Sequence, residues 1–165
     1  MKNKTLAIYI PAYNVGHTLP RVLQRIPKEL FPLIKEILIV DNASTDSTYI
    51  TAVQWKNKLK NINIIQNQTN QGYGGSQKIA YQHCIDKGYD YVVMLHGDAQ
   101  YAPEFIPQLL EKAKETDADL VFGLHARFCG GDGTGVGDVA RGASGAARVC
   151  ASSDQAAGAR TSQLG

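Results

Sequence analysis

Asp98 and Gln100 place a carboxylate and an amide two residues apart, just beyond the apolar run 91–95, with His96 at the junction. Oxygen donors at a strand end suit a hard divalent cation, which takes one or two protein carboxylates and leaves its other positions to water or substrate phosphate. On an extended segment, an ion such as Mg2+ or Mn2+ is shared between these two side chains and a diphosphate. His96 has two readings. It is an imidazole ligand, which Mn2+ accepts better than Mg2+ does, or a hydrogen-bonded histidine closing the strand. Two earlier apolar runs end in the same way: residues 6–10 lead into Pro11, Ala12, Tyr13 and Asn14, and residues 36–40 lead into Asp41, Asn42, Ser44 and Asp46. Asp41 is placed either to accept hydrogen bonds from a base or ribose or to cap the helix that follows. Asp46 reads as a cap or a charge favouring the helix start. In Gly72, Tyr73, Gly74 and Gly75 the glycines permit close backbone approach. A helix opening after them presents N–H groups suited to phosphate, with Lys78 in its first turn as a mobile positive charge. The same pattern also serves as a plain strand-to-helix turn.

The elements that must hold these groups alternate. Residues 6–10 predict a strand, and Leu19, Val22, Leu23 and Ile26 recur at helical spacing after Thr18, an N-cap followed by Pro20. A second strand is expected over 36–40. The helix after it is capped within residues 44–47 and turns Tyr49, Ile50, Ala52 and Val53 inward. A third strand over 62–65, a flexible loop over 72–75, a helix over 76–87, a strand over 91–95, a helix over 103–114 and a fifth strand over 119–123 complete the series. Strands alternating with helices predict an α/β fold, a mostly parallel Rossmann-like sheet with helices on both faces. Three polar strand ends then share one sheet edge, where such sheets bind ligands. Tyr81, Tyr89, Tyr91 and Trp55 read as core or boundary aromatics, and His17 and His83 as helix residues without chemistry.

The net charge of +2 comes from mixed signs without long runs, so nucleic acid is not the expected partner. Three cysteines, Cys84, Cys129 and Cys150, fit no metal spacing and point to a reducing compartment. With no export signal and no apolar run of about 20 residues, the expected location is cytoplasmic or peripheral at the cytoplasmic membrane face. Composition breaks near Leu124. Residues 125–165 contain no Lys, Ile, Asn or Tyr, but hold 9 Gly and 9 Ala. So few large apolar side chains cannot offset the entropy of ordering, and the segment is expected to be an irregular tail, native or out of the natural frame. The expected division is a folded unit over 1–124 and this tail over 125–165. The glycines at 130–135 lack the spacing of a phosphate loop or calcium repeat and read as low complexity. A sheet that stops at the fifth strand would leave residues 119–123 as an exposed edge.

Five blocks in order, IPAYN at 10–14, IVDNASTDST at 39–48, NQGYGGSQK at 70–78, HGDAQYAPE at 96–104 and DLVFG at 119–123, resemble family 2 glycosyltransferases of the GT-A fold. The likeness is greatest to the branch with dolichol-phosphate mannosyltransferase and polyprenyl-phosphate sugar transferases. The resemblance implies the N-terminal part of that fold, cut short after the fifth strand. It implies a nucleotide-sugar site formed by Pro11, Ala12, Tyr13, Asn14, Asp41, Asn42, Gly72, Tyr73, Gly74 and Lys78, with Asp98 and Gln100, and tentatively His96, holding Mg2+ or Mn2+. It further implies transfer of a sugar, with inversion, from a nucleotide-diphosphate sugar to a lipid-phosphate or saccharide acceptor. Two features depart from the family pattern. The metal motif there usually reads Asp-x-Asp, and its first position here is His96. The acceptor side and the general base have no recognisable counterpart in this sequence. The alternative is therefore a nucleotide-binding module without catalysis, a truncated pseudoenzyme or a regulatory domain. A flavodoxin-like or Rossmann-like domain is less well supported, since no GxGxxG follows the first strand.

Overall fold

The computed structural model describes residues 4–116 and the strands at 120–123, 136–140 and 148–152. Mainly apolar runs form the buried strands β1 (Leu6–Ala12), β2 (Ile34–Asp41) and β4 (Tyr91–Met94). The other strands are β3 (Ile62–Gln66), β5 (Leu120–Gly123), β6 (Val136–Ala140) and β7 (Arg148–Ser152). The helices are α1 (Leu19–Gln24), α2 (Thr48–Lys56), α3 (Gly72–Asp86) and α4 (Ile106–Thr116). The sheet order is β3-β2-β1-β4-β7-β5-β6, parallel except for the pair β5 with β6. Because side chains alternate along a strand, Leu6, Ile8 and Ile10 join one core with residues of α1, α2 and α4. Ala7 and Tyr9 join the other, with Ala80 and Cys84 of α3. Burial pushes the Cys84 thiol up to about 12, and the neighbouring Glu36 charge adds to this, so it behaves as an apolar group.

Four expectations need correction. The glycine-rich stretch 72–75 is the first turn of α3 and not a loop before it, which moves Lys78 into the second turn. Thr18 holds the N-cap position of α1 as expected but makes no side-chain capping bond; its hydroxyl donates instead to the Gly97 carbonyl at 2.7 Å, tying the helix to the end of β4. On α2 the inward side chains are Thr48, Thr51 and Ala52, while Tyr49, Ile50 and Val53 face outward. Finally, β5 is no edge, since β7 and β6 flank it; the edges are β3 and β6. These two neighbours lie within residues 125–165, whose remainder is outside the described residues.

Candidate functional site

From β1 the chain moves outward through β2 to β3, and then returns to place β4 on the other side of β1. The carboxyl ends of β1 and β4 therefore frame a switch point, where the connections diverge and leave a crevice. A cavity of about 210 Å³ occupies it. Pro11, Ala12, Tyr13, Asn42, Tyr73, His96 and Asp98, all expected as site residues, line it together. Asn14, Asp41, Gly72, Gly74, Lys78 and Gln100 are not among its lining residues. Sequence reasoning missed Val15, Ser76 and Gly97, which complete the wall. Gly97 alone carried a signal, a glycine set between His96 and Asp98. A Cβ there would stand 3.0 Å from Val15 Cγ2 and 3.2 Å from the Pro11 carbonyl oxygen, so the close approach of β4's end to β1's end favours glycine.

The loops after β1 and β2 brace each other. Asn14, with φ of 52°, donates its N–H to Ser44 Oγ at 3.0 Å, and its Oδ1 accepts the Thr45 N–H at 2.9 Å. The Asp46 carboxylate accepts the Gly16 N–H at 3.0 Å and the Thr48 N–H at 2.9 Å, capping α2 as expected. Partial burial opposes ionisation of Asp46, but hydrogen bonds from the Thr48 hydroxyl and from the Gly16 and Thr48 backbone outweigh it and hold the carboxyl below its usual range. Asp41 is fully buried; it accepts the Ser44 N–H at 3.0 Å and the Gln66 side-chain amide at 3.1 Å. It thus closes the loop and anchors β3. Asn42 is the hub of the next layer. Its Oδ1 accepts from Asn67 Nδ2 at 2.8 Å and the Gln71 N–H at 2.9 Å, while its Nδ2 donates to Asn70 Oδ1 at 2.8 Å. One buried amide thereby fixes the segment leading into α3.

At the end of β4, Asp98 and Gln100 lie on a tight turn and not on an extended segment. Ala99 has φ of 63°, and the Gln100 N–H donates to Asp98 Oδ1 at 3.0 Å. Left-handed backbone is disfavoured for alanine, and such strain collects at functional sites. His96 Nε2 lies 3.1 Å from the Tyr73 hydroxyl, and its ring packs against Tyr73 and Tyr101 with centroids 5.7 and 5.0 Å apart. Those contacts match the strand-closing reading of His96. Burial raises the Tyr73 pKa well above the ordinary tyrosine value, so the phenol stays neutral. Among the described residues no three His, Cys, Asp or Glu side chains converge into a metal cage. One carboxylate and one amide on a single turn fit a hard cation shared with phosphate oxygens, not a site built wholly of protein ligands.

Comparison with known proteins decides the family. Glycosyl transferase family 2 matches residues 7–139. The chain belongs to that family. Among its relatives, undecaprenyl-phosphate mannosyltransferase of Micrococcus luteus is 32% identical over 114 residues, which is 69% of this chain and 45% of that protein. The chain spans about half the length of the curated relatives it matches. The S. aureus TarS fragment 1–349, solved with UDP-GlcNAc, superposes with a TM-score of 0.59 at 23% identity, over 81% of this chain and 37% of that one. The mannosyltransferase PcManGT of Pyrobaculum calidifontis, solved with GDP-Man and Mn2+, gives a TM-score of 0.60 at 18% identity, over 73% and 35% of the two chains. The fold of this family 2 member is thus the α/β GT-A type. Among the described residues no helix is long and apolar enough to cross a membrane.

Proposed function

We propose that the cavity binds the nucleoside-diphosphate part of a sugar donor, and that the chain is the donor-binding part of an inverting, metal-dependent glycosyltransferase. The observation that carries this reading is the convergence of Tyr13, Asn42, Tyr73 and Asp98 from four separated segments on one cavity at the switch point. Tyr13 and Tyr73 supply half-exposed aromatic surface for a base. Asn42 keeps the α3 segment in place through its hydrogen bonds, and Asp41 stiffens the floor from below. Asp98 and Gln100 would hold Mg2+ or Mn2+ against the donor phosphates. Held by these two residues, such a cation would supply Lewis-acid neutralisation of the charge on the departing nucleoside diphosphate. In the reaction an acceptor oxygen attacks the anomeric carbon, the bond to the donor phosphate breaks, and the configuration inverts. A lipid phosphate is the favoured acceptor, by analogy with the Micrococcus luteus relative, with a saccharide as the other class.

A thermal-shift titration with UDP- and GDP-sugars, with and without Mn2+, tests the proposal, because a ligand that binds only the folded state raises its melting temperature. Metal-dependent stabilisation is expected, and Asp98→Ala should abolish it while leaving the melting temperature of the free chain within about 2 °C. Donor stabilisation that persists in this variant removes Asp98 from the site.

A further inference from the structure

We propose that the outward face of α2 is a docking surface for an anionic lipid bilayer. α2 is amphipathic in the inverse sense. Its small or polar residues Thr48, Thr51 and Ala52 are buried against the sheet, while Tyr49, Ile50 and Val53 are 40%, 61% and 37% exposed. On a helix, residues one, three and four apart in this way cover one contiguous strip. Trp55 packs against the core, whereas Tyr49, Ile50 and Val53 together form an exposed apolar strip, which marks an interaction surface.

Charge selects the partner. Residues 47–60 contain no Asp or Glu, yet hold Lys56, Lys58 and Lys60. Lys56, Lys58 and Lys60 follow directly on the apolar strip and are exposed, with Lys58 Nζ lying over the Trp55 ring at 4.7 Å. Of the acids that precede this segment, Asp41 and Glu36 are buried, and Asp46, exposed, stands at the start of α2, at the opposite end from the lysines. Apolar side chains beside a row of lysines, without acids, are what an interfacial helix presents to anionic headgroups. A tyrosine at the rim suits the headgroup layer. The geometry fixes the placement as well. A Cβ on Gly16 would collide with Ser47 Oγ and lie 2.8 Å from the Thr48 nitrogen, so the start of α2 is pressed against the loop after β1. Docking through α2 would hold the lipid surface beside the cavity mouth.

Vesicle co-sedimentation of the full chain tests this independently of any nucleotide. Phosphatidylcholine vesicles containing about a third phosphatidylglycerol should retain it at low salt and release it at high salt, since exposed charges are screened. Pure phosphatidylcholine should retain it weakly. The variant Tyr49→Ser, Ile50→Ser, Val53→Ser should bind at least about tenfold more weakly with an unchanged melting temperature, and so should Lys56→Gln, Lys58→Gln, Lys60→Gln, which leaves the apolar strip intact. No binding by the parent chain, or binding that both variants retain, overturns the proposal. So does a self-associated species that the serine variant abolishes without lipid dependence, which would assign the face to a second copy.

Discussion

The two ends of the sheet each bury a polar cluster, and the clusters differ in kind. At the carboxyl end, Asp41 and Asn42 are fully hydrogen-bonded, yet the loops around them leave a cavity, and Asn14, Ala43 and Ala99 all adopt positive φ. Toward the amino end, Glu36 accepts from Asn63 Nδ2 at 2.7 Å and from the Tyr89 hydroxyl at 2.8 Å, and lies 2.9 Å from His83 Nε2. There the side chains fill the space between β2, β3 and α3, and none of them has a positive φ. Buried polar residues alone therefore do not mark a site. Concavity together with strained strand-end backbone does, because a closed network spends its hydrogen bonds on the fold.

Substitutions at each end should separate the two roles. The largest stability effect is expected for Glu36→Ala, which leaves Asn63, His83 and Tyr89 without their shared acceptor. A loss of about 3 kcal/mol in chemical denaturation is expected, with nucleotide-induced thermal shifts preserved. The same end governs acid sensitivity. Burial opposes ionisation of Glu36, but the hydrogen bonds from Asn63, Tyr89 and His83 outweigh it and lower its pKa from the ordinary 4.5. The stability from this group is thus fully present above that value and is lost as pH falls through the lowered folded value. The Glu36→Ala chain should show a flatter decline over that window in pH-dependent melts. Loss of donor binding on Glu36 substitution would dissolve the contrast between the ends.

Asn42→Ala should act at both levels, since it lines the cavity and holds the α3 segment. About 2 kcal/mol of stability should be lost, together with donor-induced stabilisation. A variant with weakened stability but unaltered donor response would make Asn42 a purely structural residue. The smallest effect belongs to Ala99→Gly. Relief of the left-handed alanine should stabilise the chain by up to about 1 kcal/mol, while the freed turn should weaken the metal-dependent donor response. Equal metal dependence in this variant would mean that the strain at Ala99 does not orient Asp98.

Much of this arrangement was legible in the residues themselves. The strands β1, β2 and β4 announce themselves as runs such as Ile37, Leu38, Ile39 and Val40, and seven of the expected site residues meet on the cavity because parallel strands deliver their ends to one edge. What local reasoning missed depends on distant contacts. The start of α3 at Gly72 rests on Asn42 Oδ1 and Asn70 Oδ1 accepting the N–H groups of Gln71 and Gly72, and a scan for helix formers cannot see such partners. The inverted face of α2 reflects its packing on the sheet, where Thr51 and Ala52 permit a close approach that Ile50 would not. The flanking of β5 by β6 and β7 joins residues whose composition suggested no strand at all.

The position of β4 also bears on the order of assembly. β1 pairs with β2, and β2 with β3, across a single helical crossover each, whereas β4 pairs with β1 only after three such crossovers, and Asp90 pairs with Thr5 across 85 residues. Pairings of such sequence separation form slowly. His96, Gly97 and Asp98 stand just beyond β4, so one wall of the cavity arrives only when that late strand docks. During synthesis the aromatic and amide half would wait, shaped but open, until the carboxylate is brought in. Pulse-labelled hydrogen exchange should accordingly protect the amides shared by β1 and β2 before those shared by β1 and β4, so that the cavity wall bearing His96 and Asp98 closes after the wall bearing Tyr13 and Asn42.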